Sequence, residues 1–295
     1  MVLILKQMKN NKYTKLVLSG GSSKGLALIG FFKYLEEIDI LKHVDTFVGT
    51  SIGCLFSLFI ILGYNSVELY NIFLDLEYDI TNDIKLQNFF ELYGLNNGVY
   101  IEKLIKIFIK NKGFDENITL KQLFDITHLK LVCTVCDLNT SQTIFFDYLV
   151  YPDIPCYLAV KASANLPLIF TPVIYKDHNY VDGGITCNIP ITYFASELES
   201  ESPEQLGILC ISLKEKYTHA FTEIKSLEHY FYTLIKTSVN ESEKKDLKYI
   251  ADLKIPIIHM NIKISNYLNF LISKSDKKNI INQGYSITKN NINFK

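Results

Sequence analysis

The chain has 295 residues, of which 48% are hydrophobic, so it is not a disordered protein and can bury a substantial core. Its formal net charge is -1, with lysines and acidic residues spread along it, so nothing indicates a surface for nucleic acid or another polyanion. We expect one domain over residues 1–295. Its functional motifs lie in a core of about 14–215, and a helix, a strand and a helix follow over about 216–295.

The cysteines favour a reducing compartment, because most lie in apolar runs, where a free thiol behaves as a small hydrophobic side chain. They are Cys54, Cys133, Cys136, Cys156, Cys187 and Cys210. Residues 1–12 have too few apolar positions and no small-residue cleavage site for a secretion signal. The apolar stretch 47–62 is interrupted by glycines and is shorter than the roughly 20 residues of a membrane span. We therefore expect a cytoplasmic protein with neither a signal peptide nor a transmembrane helix.

The first elements alternate between strand and helix. Lys15–Leu18 is a short apolar run that ends at glycines, as in a strand buried on both faces of a parallel sheet. Apolar residues recur at helical spacing over 26–38, a second strand is expected over 45–48, and an apolar helix over 51–62. This order predicts a right-handed crossover in an α/β layer fold.

The region 65–113 is predicted to be a helical insertion, with Asn65 or Ser66 as its cap and with Gly94 and Gly113 as stops. The Phe- and Tyr-rich helices between 69 and 108 favour ordinary core packing. A lid or a membrane-facing surface is the alternative interpretation.

The remainder of the chain returns to short strands and helices. Thr119 and Gln122 have the residue types of a capping box that opens a short helix. The run 129–135 is expected to pair with 143–146 across a polar turn. Further along we expect a helix at 156–164, a hairpin of 173–175 with 179–181, a strand at 206–213, a helix near 227–239, a strand near 256–261 and a final helix around 276–290.

The pentapeptide Gly49-Thr50-Ser51-Ile52-Gly53 is a candidate nucleophile elbow. A serine hydroxyl is a poor nucleophile until a base takes its proton, and it must also project free of the sheet. Small residues at both ends let the chain turn sharply, which would put the serine at the positive end of the following helix. A tight turn that happens to contain serine is the alternative.

The glycine-rich turn that follows the first strand can cradle a negatively charged oxygen. The amides of Gly20, Gly21 and Ser22 lie between a buried strand and a helix start, so we expect them to point outward unpaired and to act as oxyanion donors. A Walker loop needs Gly before Lys, whereas Lys24 precedes Gly25, and a Rossmann fingerprint needs Gly where Ser22 stands. Lys24 either anchors an anionic head group or is an exposed first-turn lysine.

Asp182, followed by Gly183 and Gly184, is the candidate base. Partial burial would raise the pKa of its carboxyl from ~3.9 toward the working range. Standing alone, an aspartate before two glycines would be read as a turn cap.

A histidine base is the alternative, as in α/β-hydrolases, but there several strands precede the elbow and here only one does. The candidates are His43, His128, His178, His219, His229 and His259. Only His178 lies in a polar turn next to an acidic residue. The sequence contexts favour surface or packing roles for all six histidines. A carboxylate that acts directly on Ser51 is the more economical scheme.

The chain resembles the patatin-like phospholipases over about residues 15–290. The glycine-rich turn, the elbow, the segment 162–172 and the Asp-Gly-Gly triplet occur in the order seen in that family. The resemblance implies a three-layer α/β/α fold with a mostly parallel central sheet. It also implies Ser51 as nucleophile, Asp182 as base and the backbone of Gly20, Gly21 and Ser22 as oxyanion hole, without a metal or cofactor. The supporting positions are Lys24, Gly25, Gly49, Gly53, Gly183 and Gly184.

The function implied by the resemblance is a lipid acyl hydrolase, of phospholipase A type or non-specific, that works through an acyl-serine intermediate. Its substrate would be a phospholipid or another acyl lipid, with transient contact to a membrane surface and no nucleic-acid partner. The alternatives are an α/β-hydrolase esterase that uses histidine and a catalytically weak lipid-binding protein of the same fold. The chain departs from the family at Ser19 and Ser22, where Asp and Gly are common. A backbone donor at Ser22 survives provided that its φ is negative.

Cys133 and Cys136 have the spacing of a metal or redox motif. No second such pair accompanies them, and residues three apart on a strand face opposite sides. We therefore expect no metal site there.

Overall fold

A computed structural model describes residues 13–76, 86–215, 223–224, 226–263 and 272–292. Its strands are β1 (Lys15–Leu18), β2 (Thr46–Thr50), β3 (Gly94–Asn96), β4 (Lys130–Asp137), β5 (Gln142–Phe146), β6 (Leu168–Phe170), β7 (Val173–Tyr175), β8 (His178–Asp182), β9 (Ile208–Glu215) and β10 (Ile257–Ile262). Its helices are α1 (Ala27–Glu37), α2 (Ile52–Ile61), α3 (Ser66–Asp75), α4 (Leu86–Leu92), α5 (Val99–Asn111), α6 (Leu120–Thr127), α7 (Cys156–Ser163), α8 (Ala195–Leu198), α9 (Pro203–Leu206), α10 (Leu227–Asp252) and α11 (Lys274–Asn291). The secretion-signal expectation for residues 1–12 lies outside the described residues.

Eight strands form one sheet in the order β10-β9-β1-β2-β4-β8-β7, with β5 paired to β4. The neighbours from β10 to β4 are parallel. Antiparallel pairing joins β5 and β8 to β4, and β7 to β8. The carboxyl ends of the parallel strands share one edge of the sheet, which is where ligands bind in open α/β sheets.

Both faces of the sheet are covered, which makes three layers. Successive side chains of a strand point to opposite faces. Leu16 and Leu18 of β1 accordingly join one core with α1, α2 and α11, whereas Val17 joins a second core that includes Ile250 of α10. The predicted α/β/α class with a mostly parallel sheet is therefore confirmed.

The insertion after α2 has a packed aromatic interior. Phe59 of α2 stacks on Phe108 of α5 with ring centroids 4.2 Å apart, and Phe73 of α3 packs against both. Core packing is thus confirmed for these rings. Within the described residues, no helix combines the length and apolarity that crossing a bilayer requires.

Two elements differ from their sequence-based predictions. A helix ends at Leu92, just before Gly94, as expected, but the helical insertion is then interrupted: Gly94 opens β3, which pairs in parallel with β6 in a separate two-stranded sheet. The helix expected to end near 239 continues as α10 to Asp252. Both differences depend on contacts with distant parts of the chain, which local patterns do not report.

Candidate active site

Ser51 lies at the turn between β2 and α2, with a backbone φ of 55° and a ψ of -121°. A positive φ is uncommon for a residue with a side chain and marks local strain. Glycines permit the turn, because a Cβ on Gly49 would lie 2.4 Å from the Cys54 nitrogen and one on Gly53 would lie 2.5 Å from the Leu18 oxygen. Ser51 therefore sits on a sharp elbow at the amino end of α2, where unpaired amides carry partial positive charge.

A second serine holds this elbow. The Ser51 backbone amide donates to the Ser163 hydroxyl at 2.9 Å, and that hydroxyl donates to the Thr134 carbonyl at 2.7 Å. Ser163 ends α7 and is fully buried. No role for Ser163 was predicted from the sequence, although the segment 162–172 that contains it is part of the family resemblance.

The sheet register brings Asp182 to the level of Ser51. Thr50 of β2 pairs with Thr134 of β4, and Asp182 at the end of β8 pairs with the next residue, Val135. Because β8 runs antiparallel to β4, its carboxyl end returns to the height at which β2 ends. Two chain segments that lie far apart in sequence therefore meet at one edge of the sheet.

The carboxyl group of Asp182 is buried and only partly hydrogen-bonded. Oδ1 accepts from the Gly184 amide at 2.8 Å, and the Asp182 amide donates to the Asn165 carbonyl at 2.9 Å. Oδ2 is buried, and no described donor makes a hydrogen bond of regular geometry to it. Among the described residues, this oxygen therefore has no hydrogen-bond partner of regular geometry.

Burial raises the pKa of the Asp182 carboxyl to about 6. The Ser51 side chain and the Gly184 amide lower this pKa, but by less than burial raises it. Because the Ser51 side chain lowers this pKa, its hydroxyl must lie close to the Asp182 carboxyl group. It makes no hydrogen bond of regular geometry to Oδ2. Catalytic hydrogen bonds are often long in ligand-free enzymes. Asp182 can thus be ionised near neutral pH, within reach of the serine.

The glycine-rich turn lies beside Ser51, but its amides are not equivalent. The Gly20 amide donates to the Asn188 carbonyl at 3.2 Å. For the amides of Gly21 and Ser22, no described residue supplies an acceptor. Ser22 has a φ of 49°, so the negative φ expected for a serine at this position is not present. The positive φ strains the backbone but does not remove the amide, which remains available as a donor.

Asn188 connects this turn to helix α10. Its amide donates to the Ser242 hydroxyl at 3.1 Å, and its Nδ2 donates to a Glu243 carboxylate oxygen at 3.2 Å. A Cβ on Gly20 would lie only 2.6 Å from the Asn188 side-chain oxygen. Asn188 therefore fixes the position of Gly20, a role that the sequence analysis did not find.

Asp246, one turn further along α10, holds the same segment. Its Oδ2 accepts from the Ile189 amide at 2.8 Å. The neighbouring Cys187 carbonyl accepts from the hydroxyl of Thr50, the residue before Ser51, at 3.1 Å. Burial raises the pKa of Asp246 to about 6. The polar face of α10 is thus linked through residues 187–189 to the glycine-rich turn and to the turn that carries Ser51.

Neither of the two histidines that could compete with Asp182 lies next to Ser51, although His259 lines the same cavity as Ser51. His178 begins β8, at the opposite end from Asp182, and its Nδ1 is 2.8 Å from the Asp137 carboxylate. His259 lies on β10, three strands from β2 in the sheet, or about 14 Å at the usual strand spacing. His219 lies outside the described residues.

The two cysteines of the Cys-x-x-Cys sequence belong to the interior. Cys133 and Cys136 are both buried, and the Cys133 sulfur lies 2.8 Å from that of Cys54. Among the residues with described positions, no group of three or more His, Cys, Asp or Glu side chains could hold a metal ion.

The expected site residues share one cavity of 1480 Å³. Ser51, Asp182 and the turn residues Gly20, Gly21 and Ser22 line one end of it, together with Lys24. The supporting glycines make close contacts around that end: a Cβ on Gly25 would lie 2.2 Å from Ile52, and one on Gly183 would lie 2.4 Å from the Thr134 oxygen.

The rest of the cavity runs along α10 and the edge strand β10. Its apolar lining includes Leu166, Leu213, Ile235, Val239, Leu247, Ile250 and Ile258. A largely apolar cavity of this volume beside a serine elbow can hold an extended aliphatic group.

An α/β sheet with a serine elbow, a buried carboxylate and a glycine-rich turn at one edge defines a class of acyl-transferring hydrolase folds. Residues 16–195, more than half of the chain, match the family model described as patatin-like phospholipase. The chain belongs to the patatin-like phospholipase family.

Two curated proteins are similar to this chain, and the name of one agrees with this assignment. The probable lipid hydrolase 463L of invertebrate iridescent virus 6 is 32% identical over 192 residues, which cover 62% of this chain and 64% of the relative. An uncharacterized protein, R571 of Acanthamoeba polyphaga mimivirus, is 28% identical over 198 residues, covering 66% and 65%. The chain thus spans slightly less than two thirds of the length of these relatives.

Solved structures share the fold. VipD from Legionella pneumophila superposes with a TM-score of 0.63 at 15% sequence identity, over 96% of this chain and 67% of VipD. The type III effector protein ExoU gives a TM-score of 0.53 at 16% identity, over 96% of this chain and 53% of ExoU. At these identities, the likeness shows the architecture alone.

Proposed function

We propose that this protein is a lipid acyl hydrolase that cleaves carboxylic esters with a Ser51–Asp182 dyad. The observation that carries the proposal is the buried Asp182 Oδ2, which has no regular hydrogen-bond partner and lies beside a serine on a strained elbow. A buried acceptor normally has a partner. A proton from the Ser51 hydroxyl would satisfy it during the reaction.

In the first half-reaction, the Ser51 oxygen attacks the ester carbonyl carbon and its proton passes to Asp182. The tetrahedral intermediate then collapses: the bond to the leaving alcohol breaks, and the alcohol takes the proton from Asp182. In the second half-reaction, Asp182 accepts a proton from water as the water oxygen attacks the acyl carbon. The bond to Ser51 breaks, the serine oxygen regains that proton, and a fatty acid leaves.

The developing oxyanion requires main-chain donors beside Ser51. The amides of Gly21 and Ser22 suit this role, because they line the cavity and no described acceptor engages them. The Gly20 amide already donates to the Asn188 carbonyl. We therefore assign Gly20 a steric role, because its lack of a side chain leaves space next to Ser51. Removing one such donor typically raises the barrier by about 3 kcal/mol.

The substrate we propose is a phospholipid or another acyl lipid. The apolar cavity beside Ser51 supports this class, because an acyl chain can leave water there. Such a substrate resides in membranes, so the enzyme must make transient contact with a lipid surface.

The test is a lipid product assay on mixed phospholipid vesicles with wild type, Ser51→Ala and Asp182→Asn. Asparagine keeps the shape of aspartate but cannot take the proton. We expect fatty acid release by the wild type and a loss of about a thousandfold or more in both variants. Binding of vesicles without any release by the wild type would instead favour a lipid-binding protein of this fold.

The histidine alternative is tested in the same assay. Activity that persists in Asp182→Asn but disappears in His178→Asn or His259→Asn would support it. The pairing of His178 with Asp137 and the strand position of His259 favour the dyad.

A further inference from the structure

The cavity that contains Ser51 has a positively charged lining. The whole chain has a formal net charge of -1. The acidic residues of the described lining are Asp182 and Glu243, whereas its lysines are Lys24, Lys214, Lys236, Lys244, Lys254 and Lys263. The cavity therefore carries an excess of positive charge that the chain as a whole does not share.

The ends of strands β9 and β10 bring part of this charge together. Lys214 of β9 is in register with Asn261 of β10. His259 and Lys263 lie two residues before and two residues after Asn261, and residues at this spacing on a strand share a face. All four residues line the cavity. We call them the β9–β10 cluster.

The charges of this cluster lie close together and are incompletely compensated. Partial desolvation and then the positive charge of Lys214 lower the pKa of His259, so these two side chains are neighbours. Glu243 of α10 has a smaller, opposite effect on His259, and both of its oxygens already accept hydrogen bonds from other side chains. Among the described residues, no carboxylate forms an ion pair with Lys214 or Lys263. An anion bound here would neutralise charge that the protein leaves unbalanced.

The β9–β10 cluster is joined directly to the glycine-rich turn. The amide of Leu213, the residue before Lys214, donates to the Ser19 hydroxyl at 2.9 Å. A Cβ on Gly21 would lie 2.7 Å from the Leu213 side chain, so the turn and β9 are in contact. Strand β9 is two strands from β2 in the sheet, or about 10 Å at the usual strand spacing. An anion held by the Lys214 side chain would therefore lie beside an ester bond at Ser51.

We propose that the β9–β10 cluster binds the anionic head group of the acyl lipid whose ester is cleaved at Ser51. This inference rests on the proposed function and specifies its substrate. The phosphate of a glycerophospholipid lies only a few bonds from an ester carbon, which suits the short span from Ser51 to Lys214. Its oxygens can accept hydrogen bonds from the Lys214 ammonium group and from a ring N–H of His259.

The same charges select against other head groups. A choline or ethanolamine group would bring a second cation toward Lys214 and Lys263, and like charges placed together disfavour binding. The substrate class is therefore an acidic phospholipid whose head group carries no cation.

The test measures head-group selectivity on short-chain lipids dissolved as monomers, so that attraction to a charged membrane surface plays no part. Dihexanoyl phosphatidic acid and dihexanoyl phosphatidylcholine have the same acyl chains, and the readout is the ratio of their kcat/KM values. We expect the wild type to prefer the phosphatidic acid by at least about tenfold, which corresponds to one hydrogen bond to a charged group.

Two lysine variants and a matched control locate the selectivity. Lys214→Met removes the charge but keeps most of the side-chain length, so the preference should be lost, whereas Lys214→Arg should largely retain it. Lys263→Met should weaken the preference as well. Lys248→Met is the control, because this exposed lysine of α10 lies outside the described lining of the cavity and its loss changes the net charge equally. Thermal unfolding of each protein checks that it folds.

Binding to the Ser51→Ala protein tests the head-group site without turnover. In calorimetric titrations, we expect dihexanoyl phosphatidic acid to bind and the further change Lys214→Met to weaken it about tenfold. Inorganic phosphate should bind much more weakly than the lipid, because it has no acyl chains for the apolar part of the cavity. Equally tight binding of inorganic phosphate would assign the cluster to a free anion and overturn the lipid head group.

Several other results would overturn the proposal. Equal hydrolysis of the two lipids by the wild type would do so, as would a preference that survives both Lys214→Met and Lys263→Met. An equal loss of preference in Lys248→Met would show that net charge, and not the cluster, is responsible. If the wild type hydrolyses neither lipid, the proposed function fails, but the titrations of the Ser51→Ala protein still decide the head-group site.

Discussion

At the level of single residues, the site combines two arrangements that oppose folding. Ser51 has a positive φ, and Asp182 is buried with one oxygen that has no regular partner. Backbone strain and buried acceptors of this kind cost about 1–3 kcal/mol each and persist where surrounding contacts determine them. The Ser163 hydrogen bonds and the Gly184 amide are those contacts here.

The rate should depend on the ionisation of Asp182. Burial raises its pKa to about 6, and only the ionised form can accept the serine proton. We expect kcat/KM to be level above neutrality and to fall about tenfold per pH unit well below pH 6. The measurement is a pH–rate profile on a water-soluble ester.

Asp246 has a pKa in the same range, so it needs its own control. Asp246→Asn is expected to change the rate but not the midpoint of the profile, because Asp246 contacts residues 187–189 and not Ser51. A midpoint that disappears in Asp246→Asn would contradict the assignment to Asp182.

Replacing Ser22 by glycine should stabilise the folded protein. Its φ of 49° is strained for a residue with a Cβ. Ser22→Gly is expected to raise the free energy of unfolding by up to about 1 kcal/mol and to retain activity, since the backbone donor remains. Ser23→Gly is the matched control at a neighbouring helical position without positive φ, and denaturant unfolding should show it to be destabilising. Equal destabilisation by both changes would refute the strain argument.

At the level of elements, α10 has two different halves. Its first turns carry exposed apolar side chains, whereas Ser238, Ser242, Glu243 and Asp246 hydrogen-bond to residues 185–189. These four positions recur at helical spacing on one face. The helix therefore joins the outer surface to the loop that positions Gly20.

Removing the Ser242 hydroxyl should loosen this loop. Ser242→Ala leaves the buried Asn188 amide without its acceptor, so we expect a loss of about 1–3 kcal/mol in the free energy of unfolding. We also expect kcat to fall with KM little changed, because Gly20 and the oxyanion turn shift. Thr237→Ala is the control, since within the described part of the chain its hydroxyl donates to the Thr233 carbonyl of the same helix and not to the loop. If both variants keep the wild-type kcat, the loop does not depend on α10.

Local signals in the sequence were enough for the first half of the fold. The order β1–α1–β2–α2, a helix cap at Asn65 or Ser66 and a capping box at Thr119 were predicted, and the structure has them, with Asn65 as the cap. The full length of α10 was not, because its second half is polar and is stabilised by contacts with residues more than fifty positions away. The pairing of Gly20 with Asn188 was missed for the same reason.

At the level of the whole molecule, the last helix is part of the main body. A Cβ on Gly284 of α11 would lie 2.0 Å from the Ala27 oxygen of α1, and one on Gly30 would lie 2.1 Å from the Ile281 oxygen. Helices approach this closely only where side chains are absent. This packing supports our expectation of a single domain.

Gly284→Ala should therefore destabilise the entire chain. Overpacking at such a contact costs about 1–3 kcal/mol, and we expect one cooperative transition at a lower Tm. The exposed Ser286→Ala is the control on the same helix. Hydrogen exchange is the decisive measurement: α1 and α11 should lose protection together, and early exchange of α11 alone would indicate two independent units.

The buried carboxyl at the end of β8 has a consequence for acid exposure. The folded state raises its pKa from the ordinary 3.8 to about 6, so between these values the folded form holds a proton that the unfolded form lacks, and stability rises as the pH falls. Acidification would thus lower the rate, because Asp182 becomes protonated, while the contribution of this group to the stability of the fold increases. Between roughly pH 6 and pH 4, protonation of this one group would therefore lower the rate without weakening its contribution to the fold.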